Sequence, residues 1–226
     1  MKPWIAISAC LLGEPVRYDG NAKPSAAVQK LAESFAVALV CPEVEAGLGV
    51  PRPPVRLVAG KRLPKAVGVD DPGLDVTEVL VDHAIAWLLN HEQIDGVVFK
   101  ARSPSCGLGS TPVLDGDGKA TLGSGLFART LMRQRPWLPA SDEEGLSDPA
   151  AADRFAKRVW AAYRLRTELA ADCTPDRLLE FHTRHKPQFL AHAPERCADL
   201  DAVVAGGITF VDYRRRFMAI LGVCRA

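Results

Sequence analysis

Trp4-Ile5-Ala6-Ile7-Ser8-Ala9-Cys10 decides how the rest of the chain is read. A short apolar run with the look of a β-strand ends on a cysteine, and the arrangement returns twice. Phe35-Ala36-Val37-Ala38-Leu39-Val40 leads into Cys41-Pro42-Glu43. Val97-Val98-Phe99-Lys100 leads into Ala101-Arg102-Ser103-Pro104-Ser105-Cys106-Gly107. Between these runs lie helical patterns, and strands alternating with helices imply a parallel sheet. In such a sheet the carboxyl ends of the strands share one edge, where ligands bind. Three thiols brought to that edge from distant positions form a candidate site.

Working outward, residues 1–148 read as an α/β domain with a parallel, Rossmann-like sheet and flanking helices. Ser25 is placed to cap a helix through Ala27, Val28, Leu31 and Ala32. Residues 41–75 are rich in Pro and Gly, with strand-like pieces at 55–58 and 66–69. A loop of that length in a compact domain is functional or disordered. Thr77 reads as the cap of a helix whose apolar stripe is Val76, Val79, Leu80, Ala84, Trp87 and Leu88. A helix over 123–134 and a short strand at Trp137-Leu138-Pro139-Ala140 complete the domain. Composition changes over 141–153. Residues 149–226 read as a small all-helical domain, with helices around Phe155–Leu169, from Pro175 to Phe189, and over Phe210–Ile220.

The chain has 226 residues, 48% hydrophobic and 24% charged, within the range of soluble globular proteins. A net charge of +1 gives no overall field toward nucleic acid or anionic membrane, and direct nucleic-acid binding is not expected. No apolar run approaches the roughly 20 residues of a membrane span. The start goes straight into a strand without the features of a signal peptide. Six cysteines with no export signal favour free thiols or metal ligands over disulfides, so a cytoplasmic protein is expected.

Thiolates are soft ligands suited to zinc or iron–sulfur clusters. Structural zinc takes four protein ligands, and a fully protein-bound cluster takes four cysteines. Three leave one metal position open for chemistry. Gly47, Gly49, Ser105 and Gly107 allow the backbone to approach and donate N–H groups to sulfur.

Several ordered motifs share a pattern: Ser8-Ala9-Cys10-Leu11-Leu12-Gly13, Arg17-Tyr18-Asp19-Gly20, Cys41-Pro42-Glu43, Pro51-Arg52-Pro53-Pro54, and Lys100 to Gly107. Together they resemble the thiouracil desulfidase family over roughly residues 1–145. The resemblance implies a 4Fe-4S cluster held by Cys10, Cys41 and Cys106, whose remaining iron takes the sulfur of a thiolated uracil. The implied reaction is non-redox and releases uracil and sulfide. The resemblance makes Glu43 the proton-transfer residue and Ser103 a substrate-positioning or relay residue. Ala46-Gly47 and Val55-Arg56-Leu57 depart from the family pattern, which has Gly-Gly and an acidic residue there. The segment Phe181-His182-Thr183-Arg184-His185-Lys186 resembles a helical domain often fused behind this one.

The chemistry is physically consistent. An iron Lewis acid polarises a thiocarbonyl, and a carboxylate two residues from a ligand is placed to take a proton from water. Pro42 restrains the backbone between Cys41 and Glu43, and Glu45 competes for the same role. Ser103 and Ser105 are substrate-binding candidates or plain turn residues. Arg52 is a candidate for steadying substrate, cluster charge or leaving sulfide, as is Arg102, and both also suit solvated loops. Arg17 and Asp19 suit a structural loop pair. Two rival functions remain: an iron–sulfur redox sensor or scaffold without turnover, and a zinc hydrolase. Gly123-Ser124-Gly125 lacks the full glycine fingerprint of a nucleotide site. His182, His185 and His192 lack a completing carboxylate or cysteine. Cys173, Cys197 and Cys224 read as packing residues, and Arg214-Arg215-Arg216 as a solvated face.

Overall fold

The computed structural model describes residues 1–170 and 172–222, apart from the side chains of Phe189, Ala191 and His192. His192 and Cys224 therefore lie outside the described side chains. In chain order the elements are β1 (Trp4–Ser8), α1 (Ala26–Ala32), β2 (Ala36–Val40), α2 (Pro42–Glu45), β3 (Val55–Val58), β4 (Lys65–Gly68), α3 (Thr77–Asn90) and β5 (Ile94–Phe99). There follow β6 (Thr111–Leu114), β7 (Ala120–Gly123), α4 (Leu126–Gln134), β8 (Ala140–Asp142), α5 (Pro149–Glu168), α6 (Pro175–His192), α7 (Pro194–Ala205) and α8 (Phe210–Leu221).

The main sheet has the order β2-β1-β5-β8, and its pairings are all parallel. The chain leaves β1 toward β2 on one side and returns to β5 on the other. That reversal opens a crevice at the carboxyl ends of β1 and β5. Every residue of β5 is buried, as expected for a central parallel strand covered on both faces. On one face Ala6, Val97 and Phe99 pack with Trp87, Phe127 and Leu131. On the other Ile5, Ile7 and Val98 pack with Val28, Phe155 and Val159. Gly96 permits the second layer to close, since a Cβ there would stand 2.6 Å from Val159 Cγ2.

The long segment after Cys41 contributes to a second sheet, ordered β4-β3-β6-β7. Its hairpin β6–β7 is absent from the sequence reading, because Pro112 and the alternating Asp and Gly of the turn interrupt the strand signal. Asp115 closes that turn by accepting N–H groups from Asp117 and Lys119 at 3.0 and 2.8 Å. Ser25 caps α1 as expected, accepting from Val28 N. Thr77 does not cap α3; it is the first helical residue, and its hydroxyl accepts from Ala66 N at 2.9 Å.

The C-terminal part is helical, with α7 as an additional element. Its core gathers Leu165, Phe181, Leu200, Tyr213 and Phe217. Asp148 caps α5 by accepting from Ala150 N and Ala151 N. The packing does not divide there. Phe155 and Val159 of α5 belong to the sheet core, whereas Ala161, Ala162 and Leu165 belong to the helical core. One continuous helix thus joins both parts. Among the described residues no helix is long and apolar enough to cross a membrane.

Candidate active site at the carboxyl edge of the sheet

Cys10, Cys41 and Cys106 line one cavity of about 430 Å³ at the carboxyl edge. Cys10 lies in the 3-10 turn Ala9–Leu12 that follows β1 directly. Cys41 is the N-cap residue of α2, with Pro42 opening the helix. Its thiol is bonded by the backbone N–H groups of Val44 and Glu43. Cys106 follows a tight turn after β5. There Ser103 Oγ accepts from Ser105 N at 3.2 Å and Cys106 N at 3.0 Å, and Ser103 O accepts from Gly107 N at 2.8 Å. Arg102, just before, holds a φ of 61°, rare for a residue with a side chain.

The start of α4 braces this turn. Leu126 N donates to Pro104 O at 3.0 Å and Ala128 N to Ser105 O at 3.1 Å. A Cβ on Gly125 would fall 2.4 Å from the Ser105 carbonyl carbon, so only glycine lets the helix come this close. Gly123-Ser124-Gly125 thus serves the Cys106 loop, and Ser124 Oγ accepts from Gly109 N.

Burial sets the thiols' acidity. It pushes Cys10 up to about 11, with the neighbouring Cys41 adding to the effect while Lys100 and Arg17 oppose it. Burial raises Cys41 as well. Cys106 is raised most, again by burial, against a hydrogen bond with Ser8. The donor set fits a thiolate-ligated iron–sulfur group: three soft sulfurs in one cavity, with N–H donors and cations close by. Among the described residues no three His, Cys, Asp or Glu side chains are arranged to hold a single metal ion. A cluster asks for a different arrangement, because each sulfur binds its own iron.

Glu43 is buried on the cavity wall. Arg52 Nε donates to its Oε2 at 2.7 Å, and Ser105 Oγ donates to its Oε1 at 2.7 Å. Ser105 is wholly buried and stands behind the carboxylate, off the cavity wall. Arg52 is no solvated loop cation. Its Nη1 donates to Val16 O at 3.0 Å and to Gly49 O of its own loop at 2.8 Å, tying that loop and the Val16 loop to α2. Glu45 is turned to structural work: Oε1 accepts from Cys41 N at 2.9 Å and Oε2 lies 3.3 Å from His83 Nε2. Ser103 lines the cavity. Arg17 and Asp19 form a loop pair at 3.4 Å on the rim.

Sequence reasoning did not single out a second ion pair at the cavity. Lys100 lines it, and Lys100 Nζ pairs with Glu143, whose other oxygen accepts from Ala101 N at 2.7 Å. Lys100 N also donates to Ser8 Oγ at 3.0 Å. Lys100 was visible as a polar residue ending an apolar strand; Glu143 comes from beyond β8 and carried no local signal.

In the helical part His182 is held between Asp201 Oδ1 at 2.6 Å and Tyr213 Oη at 3.2 Å. Cys197 is buried in the helical core and Cys173 packs against it. Arg214 departs from the expected solvated face: its guanidinium stacks 3.7 Å over Trp137.

Comparison with known proteins agrees with this architecture. The chain is 32% identical over 146 residues to the uncharacterized protein YbbK of Bacillus subtilis (strain 168), covering 62% of this chain and 96% of YbbK. It superposes with a TM-score of 0.52 on a solved structure of the 4Fe-4S-dependent thiouracil desulfidase TudS, at 33% identity, covering 67% of this chain and 97% of that one. A family model described as 2-thiouracil desulfurase matches residues 5–143, which hold all three cavity cysteines, Glu43 and Ser103. On that match over more than half its length, the chain belongs to the 2-thiouracil desulfurase family.

Proposed function

We propose that this protein removes the sulfur of 2-thiouracil or a close thiolated pyrimidine, releasing uracil and sulfide with no net redox change. The observation that carries this reading is the shared cavity of Cys10, Cys41 and Cys106, with the buried Glu43 carboxylate on its wall. The three thiols would hold a 4Fe-4S cluster. Bound there, that group supplies a soft Lewis acid with an open position for sulfur.

The chain's own residues supply positioning and proton transfer. Overall, C=S and water become C=O and hydrogen sulfide. Glu43 accepts a proton from the water that attacks the ring carbon. Arg52 and Ser105 engage one oxygen each and fix the carboxylate's orientation. Ser103 Oγ already accepts two backbone N–H groups, so its hydroxyl proton remains to be donated to substrate. Lys100 and Arg17 place positive charge near Cys10, which favours thiolate ligation and the departing sulfide. The cavity beside Glu43 and Ser103 supports turnover over a sensor without substrate. Free thiols suit a reducing cytoplasm.

The test is anaerobic purification and reconstitution, with iron, sulfide and zinc analysis followed by sulfide release from 2-thiouracil. Four irons per chain and catalytic sulfide release are expected, and each of Cys10→Ser, Cys41→Ser and Cys106→Ser should lower the iron content. A stoichiometric zinc content, or an iron-loaded chain inert toward thiolated pyrimidines, would overturn the proposal.

A further inference from the structure

A second cavity, of about 580 Å³, lies at the seam between the sheet domain and the helical bundle. Glu92, Arg135, Trp137, Arg166 and Arg214 line it, from α3's end, α4's end, α5 and α8. These cations are unequally matched. Arg166 is fully paired, reaching both oxygens of Asp95 at 2.8 and 2.9 Å. Arg135 gives its two Nη groups to neutral acceptors, His91 O at 2.8 Å and Leu88 O at 2.7 Å. Glu92 acts on Arg135 through space but forms no ion pair with it among the described residues. Arg214 has no ion pair among the described residues. Its contacts are ring faces, Trp137 at 3.7 Å and Phe210 at 5.2 Å, and its Nε is buried without a hydrogen-bond partner.

Burial and the facing Arg135 push Arg214 down to about 10, which still leaves it charged at neutral pH. Two guanidinium groups therefore repel one another in a partly buried seam, and Glu92, the carboxylate on the same wall, forms an ion pair with neither among the described residues. Buried charge is costly unless matched. An anion in the cavity supplies the match, and the planar guanidinium fork suits phosphate oxygens. Stacking on Trp137 fixes the plane of the Arg214 fork in advance.

We propose that the seam cavity binds a phosphate dianion, free or as the end of a small phosphate monoester, held by Arg214 and Arg135. This site is separate from the cysteine cavity and does not depend on the desulfuration reading. Its walls come from both parts of the chain, so the ligand clamps α8 to the ends of α3 and α4.

The test uses the full chain, titrated with inorganic phosphate and with ribose 5-phosphate, against chloride at matched ionic strength. Tryptophan emission, to which Trp137 contributes as one of four tryptophans, and Tm are followed together. Saturable phosphate binding with a Tm that climbs with ligand concentration is expected. Arg214→Gln should weaken it roughly 10–100-fold, the scale of a charge-assisted hydrogen-bond pair. Arg214→Lys keeps the charge but not the fork, and should weaken binding by a smaller factor. Arg215→Gln, on the exposed side of α8, should leave affinity unchanged; circular dichroism checks that each variant is folded. Equal affinity for both probes identifies free phosphate as sufficient, and tighter binding of ribose 5-phosphate identifies the monoester as the ligand. No saturable response to either probe, an equal response to chloride, or wild-type affinity in folded Arg214→Gln and Arg214→Lys would overturn the proposal.

Discussion

Replacing Arg52 with Met tests the link between the stability of the cysteine loops and the placement of Glu43. The Arg52 and Glu43 side chains are 5% and 11% exposed, so their 2.7 Å contact is a buried ion pair. Removing one partner of such a pair costs about 3–5 kcal/mol, because the other charge stays buried. Val16 O and Gly49 O also lose their donor, adding roughly 1 kcal/mol. Arg52→Met should therefore cost about 4–6 kcal/mol. In a Glu43→Gln background no charge is stranded and the same change should cost about 2 kcal/mol less. The assay is urea unfolding of the metal-free chain, so that ligand linkage does not enter, with a double-mutant cycle over the four proteins. At an m-value of roughly 2–3 kcal/mol/M the midpoint should fall by about 1.3–3 M. Arg17→Met, removing an exposed 3.4 Å pair, should cost no more than about 1 kcal/mol. A coupling energy near zero would refute the view that Arg52 anchors Glu43.

Glu43→Gln should keep iron, sulfide and substrate binding while turnover falls roughly 10²–10⁴-fold; near-normal turnover would move the proton role to Ser103. A truncation ending at 148 should be destabilised or insoluble, since it strips Phe155 and Val159 from the sheet core; one ending after Glu168 should recover the sheet domain in a solubility and cluster-content assay. The metal-free chain should lose stability as pH rises from 9 to about 11. Over that range an unfolded Cys10 ionises and the buried one does not, costing up to about 1.4 kcal/mol per pH unit, which Tm measurements read directly. Iron uptake should improve over the same rise, because ligation displaces the thiol protons.

Much of the sheet domain was legible because its signals are local. Apolar runs of strand length preceded Cys10, Cys41 and Cys106, and parallel topology sends every strand's carboxyl end to one edge. Other features depend on partners remote in sequence. β3 joins β6 in parallel pairing across more than 50 residues, and no local pattern announces a pairing of that separation. Glu43 and Glu45 are two residues apart in similar surroundings. Only the fold gives one to Arg52 and Ser105, and the other to His83 and the Cys41 backbone.

The amino-acid sequence alone determined the α/β class, the three-cysteine set and the family, because residue type and spacing along the chain carry those. Tertiary structure alone decided which carboxylate faces the cavity, that Arg52 is a buried clamp, and that Lys100 meets Glu143. It also decided that α5 belongs to both cores and that Arg214 is drawn from solvent onto Trp137. Each of these follows from burial and charge pairing between segments far apart in sequence, and those energies exist only once the chain has closed on itself.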